Sequence, residues 1–127
     1  MFYQRMKKNL TKAKITRIES WASLGFPDCV VAIGDRFVLV ELKIAKASGR
    51  VELSPHQVAF HVNHSAYPCF VLVSLGSGSS AELFLFHAGV VKDLALSTVN
   101  DVKPVLKTLQ NKEGWGLLQM VLEGANL

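Results

Sequence analysis

Short apolar runs separated by turn residues predict β-strands over much of the chain. The apolar run at residues 29–33 is followed by Gly34-Asp35, a typical hairpin turn, and then by a second run over residues 36–43. Residues 69–75 and 82–87 form two further apolar runs, separated by a turn rich in Gly and Ser. We therefore predict four strands, at residues 29–33, 36–43, 69–75 and 82–87.

Helix signals lie between and around these runs. Ser54 is a candidate N-cap, Pro55 suits the first helical position, and Gln57 completes a capping box, so we predict a helix from Ser54 to about residue 65. Residues 14–21 are ambiguous: they either extend an N-terminal helix or form a first strand, which their Ile and Thr residues favour. Further helices are predicted at residues 2–12, 89–96, 101–109 and 115–122.

The order of these elements indicates an α/β fold with a mixed central sheet flanked by helices. Hairpin-linked strands pair antiparallel, whereas the long, helix-containing connection from Lys43 to Cys69 favours a parallel pair. The chain has 127 residues, half of them hydrophobic, which suits a single domain with a buried core. The last third is predicted to add C-terminal helices.

The excess positive charge is concentrated near the N-terminus. The formal net charge is +4, yet residues 1–18 carry six basic and no acidic residues, so the remainder is slightly acidic. A basic arm suits a polyanion such as nucleic acid, although a solvated N-terminal segment has the same composition. The predicted nucleic-acid contacts are Arg5, Lys7, Lys8, Lys12, Lys14 and Arg17, with Lys46 and Arg50 as a second cluster.

Targeting signals are not evident in the sequence. No apolar run approaches the ~20 residues of a membrane span, and the basic N-terminus is not followed by the apolar stretch of a signal peptide. We therefore expect a cytoplasmic protein with no membrane partner. In that compartment Cys29 and Cys69 are expected to be reduced thiols in the core.

The predicted strand at residues 36–43 ends in charged residues, which are candidate catalytic residues. Strand alternation places Glu41 and Lys43 on one face of the sheet and Leu42 on the other. A neighbouring strand that begins at Asp28 would bring a second carboxylate beside Glu41. Two carboxylates with a nearby Lys suit a hard divalent cation and metal-assisted phosphodiester hydrolysis. The alternatives are that Asp28 is only a turn residue and that Glu41 and Lys43 are exposed on an edge strand.

Three motifs together resemble the PD-(D/E)XK nuclease superfamily. They are Gly25-Phe26-Pro27-Asp28, Glu41-Leu42-Lys43 and Gly49-Arg50-Val51-Glu52-Leu53-Ser54-Pro55-His56-Gln57. Their succession is similar to the VRR-NUC branch, found in phage proteins and Fanconi-associated nucleases, and it also resembles archaeal Holliday-junction resolvases. The resemblance covers roughly residues 15–90.

This resemblance implies a restriction-endonuclease-like core at residues 15–90, between a basic segment at 1–14 and C-terminal helices at 91–127. The implied ligands of Mg²⁺ or Mn²⁺ are Asp28, Glu41 and the backbone carbonyl of Leu42, with Glu19 as the only local candidate for a further acid. Lys43 would orient or deprotonate the attacking water. Gln57 would face the site from its helix, or serve only as the partner in the capping box.

Histidines on the helix predicted after Ser54 are weaker candidates for binding residues. Gln57, His61 and His64 share one helical stripe, so His61 is predicted to line the nucleic-acid groove. A zinc site that combines these histidines with Cys29 or Cys69 is an alternative.

The predicted function is that of a DNA endonuclease selective for branched structures such as a Holliday junction or flap, in a bacterial or phage-infected cell. A nicking or linear-duplex nuclease is an alternative, as is a catalytically silent DNA-binding module. The apolar stretch 115–122 could pack on the body of the domain or against a second copy, and we expect a homodimer to bury it.

Overall fold

The computed structural model describes residues 1–18 and 24–124. These residues form an α/β fold in which a six-stranded mixed sheet is flanked by helices, with a helix at the C-terminal end, as predicted. The helices are α1 (Phe2–Asn9), α2 (Pro55–Asn63), α3 (Val91–Ala95) and α4 (Lys112–Leu122). The strands are β1 (Ala13–Arg17), β2 (Cys29–Ile33), β3 (Arg36–Ile44), β4 (Cys69–Leu75), β5 (Glu82–His87) and β6 (Leu106–Leu109).

The strands lie in the sheet in the order in which they occur along the chain, from β1 to β6. β3 and β4 are parallel because α2 crosses over between them, and the other neighbouring strands are antiparallel. The predicted parallel pair across the Lys43–Cys69 connection is therefore confirmed. Within the described ranges, no helix has both the length and the apolar character needed to cross a membrane.

One face of the sheet, the α1/α4 face, is covered by the first and last helices. Phe2 and Met6 of α1 and Trp115 and Leu118 of α4 are buried in one core with the side chains of the strands. The stretch 115–122 thus packs within the chain, and the premise that it exposes an apolar surface is wrong. The oligomeric state itself stays a prediction.

The opposite face, the α2/α3 face, holds the second core. Val71 and Phe84 on neighbouring strands pack there with Val91 and Leu94 of α3. Glu41 pairs with Val71 in the register of β3 and β4, so its side chain points to this same face. Leu42 points the other way and packs against the core of the α1/α4 face.

The two edge strands of the sheet bear on two predictions, the ambiguous segment at residues 14–21 and the helix at residues 101–109. Ala13–Arg17 is the strand β1, paired with β2, so residues 14–17 of the ambiguous segment form a strand and do not extend the N-terminal helix. Residues 19–21 of that segment lie outside the described residues. The helix predicted at 101–109 is wrong, because residues 106–109 form β6, paired with β5. Alternate residues of β6 are half-buried and exposed, which is the period of an edge strand. The sheet therefore extends beyond residues 15–90, and residues 91–127 contribute more than helices.

Candidate active site

Sheet pairing brings Asp28 beside Glu41. Cys29 of β2 pairs with Val40 of β3, so the residues one step further, Asp28 and Glu41, lie next to each other. Oδ2 of Asp28 accepts a hydrogen bond of 2.7 Å from the backbone N–H of Leu42. This bond fixes the Asp28 carboxylate at the point where β3 carries its acidic residue, so the juxtaposition expected from the sequence is present.

Glu41 is buried without a neutralising partner. Its side chain is 2% exposed, and its Oε1 has no hydrogen-bond partner among the described residues. Burial raises the pKa of Glu41 to about 9, and a side-chain hydrogen bond with Asp28 and the charge of Asp28 add to this, whereas Lys43 opposes it. A buried carboxylate held next to another carboxylate is an arrangement that a bound cation would relieve.

The raised pKa of Glu41 predicts how the metal-free protein responds to pH. The folded state holds the proton more tightly than the unfolded chain, so stability should fall as pH rises from about 4.5 towards about 9. Between pH 7 and pH 9 the free energy of unfolding in EDTA should fall by up to about 1.4 kcal/mol per pH unit. Glu41→Gln cannot ionise and should show a flatter profile and higher stability at pH 9, measured by urea denaturation. Parallel profiles for the two proteins would contradict the assignment.

Lys43 is held by the start of α2. Its Nζ donates a 3.0 Å hydrogen bond to Oε1 of Gln57, and the same oxygen accepts a 2.9 Å bond from the backbone N–H of Ser54. The Ser54 hydroxyl in turn accepts from the backbone N–H of Gln57, at 3.1 Å, which completes the predicted capping box. Gln57 therefore both caps the helix and orients Lys43, so the two roles considered for it are not exclusive.

The turn that carries Asp28 is docked on the same helix. Gly25 has a φ of +81°, and a Cβ at this position would lie 2.2 Å from the backbone oxygen of His56. Phe26 packs edge-to-face on Phe60 of α2, with ring centroids 5.0 Å apart. The sequence indicates a turn at Gly25 but not this close approach, because the approach depends on where α2 lies. One helix thus positions both the Asp28 turn and Lys43.

A cleft of about 490 Å³ opens beside Lys43. Arg50, Ser54 and Gln57 also line it. Arg50 is exposed, and its backbone bridges to Thr98, which anchors the loop that carries it. Lys46, by contrast, forms a 2.7 Å ion pair with Glu52. Both of these side chains are largely exposed, so the ion pair adds little to stability, but it engages the Lys46 ammonium group with Glu52.

The basic residues of the N-terminus are not gathered at this cleft. Arg5, Lys7 and Lys8 lie on α1, which packs on the α1/α4 face, opposite Glu41 and Lys43. Arg17 stacks over the ring of Tyr3 on that face, at 4.8 Å from its centroid. The remaining two of these cations, Lys12 and Lys14, are exposed in the turn after α1 and in β1. The predicted DNA contacts therefore divide between two faces of the sheet.

His61 does not line a groove. Its side chain is fully buried, and its Nδ1 lies 3.4 Å from Sγ of Cys69. Burial, followed by the charges of His64 and His87, lowers its pKa to about 4. The prediction that His61 contacts nucleic acid is wrong, because the stripe it shares with Gln57 turns into the core one turn further along α2.

Other predicted ligands fall outside this cluster. Glu19 lies outside the described residues. Among residues 1–18 and 24–124, no three His, Cys, Asp or Glu side chains are grouped so that they could hold a metal. Cys29 and Cys69 are free and buried, and burial raises the pKa of each to about 12, so they are neutral thiols. They point to opposite faces of the sheet, which gives no support to the zinc alternative.

Comparison with known proteins adds no family assignment. No protein-family model matches the chain, and a search of curated proteins returns no significant match. The resemblance to nucleases therefore rests on the three sequence motifs.

Proposed function

We propose that this protein is a metal-dependent DNA endonuclease of the PD-(D/E)XK type. The observation that carries the proposal is the buried, unpartnered Oε1 of Glu41 beside Asp28, next to a Lys43 that Gln57 holds in place. A carboxyl oxygen buried without a hydrogen-bond partner carries a desolvation cost, and a bound cation would relieve it. A cation site accounts for the arrangement.

The donor set fits Mg²⁺ or Mn²⁺. Both ions prefer oxygen ligands, and Mg²⁺ commonly keeps several waters while using only one or two carboxylates. Asp28, Glu41 and the backbone carbonyl of Leu42 are the residues that would hold the ion. When bound, it would supply Lewis-acid stabilisation of phosphate charge and a water of lowered pKa.

The other residues have roles that follow from their positions. The Lys43 ammonium, tethered by Gln57, would orient the attacking water and stabilise charge on the phosphate. The exposed guanidinium of Arg50, in the cleft beside Lys43, suits a contact to a neighbouring phosphate. These contacts go to the backbone and not to base edges, so the enzyme would read the shape of its substrate.

The preferred substrate is branched DNA, such as a Holliday junction or flap, and the proposed active form is a homodimer that cuts two strands symmetrically. Incubation of a supercoiled plasmid, a four-way junction and a linear duplex with Mn²⁺, Mg²⁺ or EDTA tests this proposal. We expect metal-dependent cleavage with the junction cut fastest. Equal rates on all three substrates would indicate a nicking or linear-duplex nuclease. Binding without cleavage in either metal would overturn the enzyme assignment and favour a silent DNA-binding module.

A further inference from the structure

A second and larger cleft lies on the α1/α4 face. Its volume is about 910 Å³, within the range of small-molecule sites, and its walls come from α1, the start of α4 and the turn between β4 and β5. Three cationic side chains line it, Arg5, Lys8 and Lys112, and no Asp or Glu is among the described lining residues. None of the roles proposed above for Asp28, Glu41, Lys43 and Gln57 uses this cleft.

The three cations have no acidic partner to neutralise them. Lys8 and Lys112 are exposed, and no ion pair links either of them, or Arg5, to a carboxylate in the described part of the chain. Arg5 lies over the ring of Phe2, 5.4 Å from its centroid, which fixes the guanidinium at the rim. Uncompensated cations in a concave site concentrate positive potential and attract phosphate groups.

The larger cleft lies across the end of β3 from Lys43. Lys43 lines the smaller cleft on the α2/α3 face, and the next residue, Ile44, lines the larger cleft on the opposite face. Ile44 is 68% exposed, so the end of β3 separates the two clefts without a covering element. A DNA molecule that occupies both clefts must therefore turn around this end of the sheet.

We propose that the cleft of Arg5, Lys8 and Lys112 binds a second segment of the sugar-phosphate backbone of the same DNA molecule that occupies the Lys43 cleft. This inference rests on the proposed function. A straight duplex at Lys43 has no segment on the opposite face, whereas a branched molecule presents a second arm. The second cleft would thus supply the preference for branched DNA.

Binding measurements on a charge variant test this inference. Lys8→Gln/Lys112→Gln is compared with Lys92→Gln/Lys103→Gln, which removes the same charge from two residues that line neither cleft. Fluorescence anisotropy in EDTA gives the affinities for a four-way junction and for a linear duplex equal to one of its arms, at several salt concentrations. Cleavage of the linear duplex in Mn²⁺ reports on the active site separately.

The cleft variant should lose at least about tenfold in junction affinity, and its slope of log affinity against log salt should fall by about 2, since each phosphate contact contributes about 0.9. Its affinity for the linear duplex and its cleavage of that duplex should match the control. Junction binding equal to that of the control would overturn this inference and leave the proposed nuclease intact. An equal loss on both substrates would also overturn it, because the cleft would then not select branched DNA. Absence of metal-dependent cleavage in the unmodified protein would instead overturn the proposed function.

Discussion

Asp28→Asn and Lys43→Ala should each lower the rate of DNA cleavage by at least ~100-fold, the scale of a lost electrostatic or acid–base contribution. Asn at position 28 removes the ligand charge next to Glu41, and Ala at position 43 removes the ammonium group that Gln57 orients. Single-turnover cleavage of a labelled junction in Mn²⁺ measures the effect. Binding of the junction in EDTA should survive both changes.

The matched controls are Asp35→Asn in the β2–β3 hairpin turn and Lys103→Ala in the segment before β6, both exposed residues. They repeat the same chemical changes away from the site and should cleave at the unmodified rate. Circular dichroism and urea midpoints establish that all four proteins are folded. If Asp28→Asn cleaves at the native rate while folded, the assignment of Asp28 as a metal ligand is wrong.

Gly25→Ala should destabilise the protein by about 3 kcal/mol or more, among the larger effects expected of a single substitution. A Cβ at Gly25 would overlap the backbone oxygen of His56 at 2.2 Å, and its φ of +81° is unfavourable for any other residue. Neither contact partner can move alone, because His56 lies in the first turn of α2. Cleavage should fall as well, since the displaced turn carries Asp28 and the displaced helix carries Gln57.

Gly34→Ala isolates the conformational part of this effect. Gly34 also has a positive φ, +60°, but the nearest atom to its added Cβ is a side-chain carbon of Glu123 at 3.9 Å. We expect a cost of about 1–2 kcal/mol, from the backbone alone, and no change in cleavage. Urea denaturation measures the free energy of unfolding of both glycine variants. Equal destabilisation by the two substitutions would show that the docking of the turn on α2 contributes little.

Sequence reasoning located most of the sheet because local signals decide it. β2 and β3 are apolar runs joined by Gly34-Asp35, and their pairing places Asp28 beside Glu41 without any further information. The capping box at Ser54 is equally local, since both of its hydrogen bonds join residues three positions apart. The contact of Gln57 with Lys43 depends in addition on where α2 lies relative to the end of β3.

What the sequence did not reveal depends on contacts between distant segments. His61 shares a stripe with Gln57, and only the approach of α2 to Cys69 decides that this histidine is buried. Apolar residues at 115–122 can be covered by another chain or by α1, and the sequence does not distinguish these outcomes. β6 is a strand because β5 offers it an open edge, and its own pattern over four residues is too short to show this.

The order of the strands has a consequence for how the protein assembles during synthesis. Each strand pairs with the one made just before it, so the sheet can grow from β1 to β6 as the chain is made, and within the described residues only the β3–β4 and β5–β6 pairs must first close a connection that contains an α-helix. α1 is different, because the core that buries Phe2 and Met6 is completed by residues of α4. We expect a nascent chain to keep the α1/α4 face partly open until its last helix emerges, and this face to be the surface that chaperones protect.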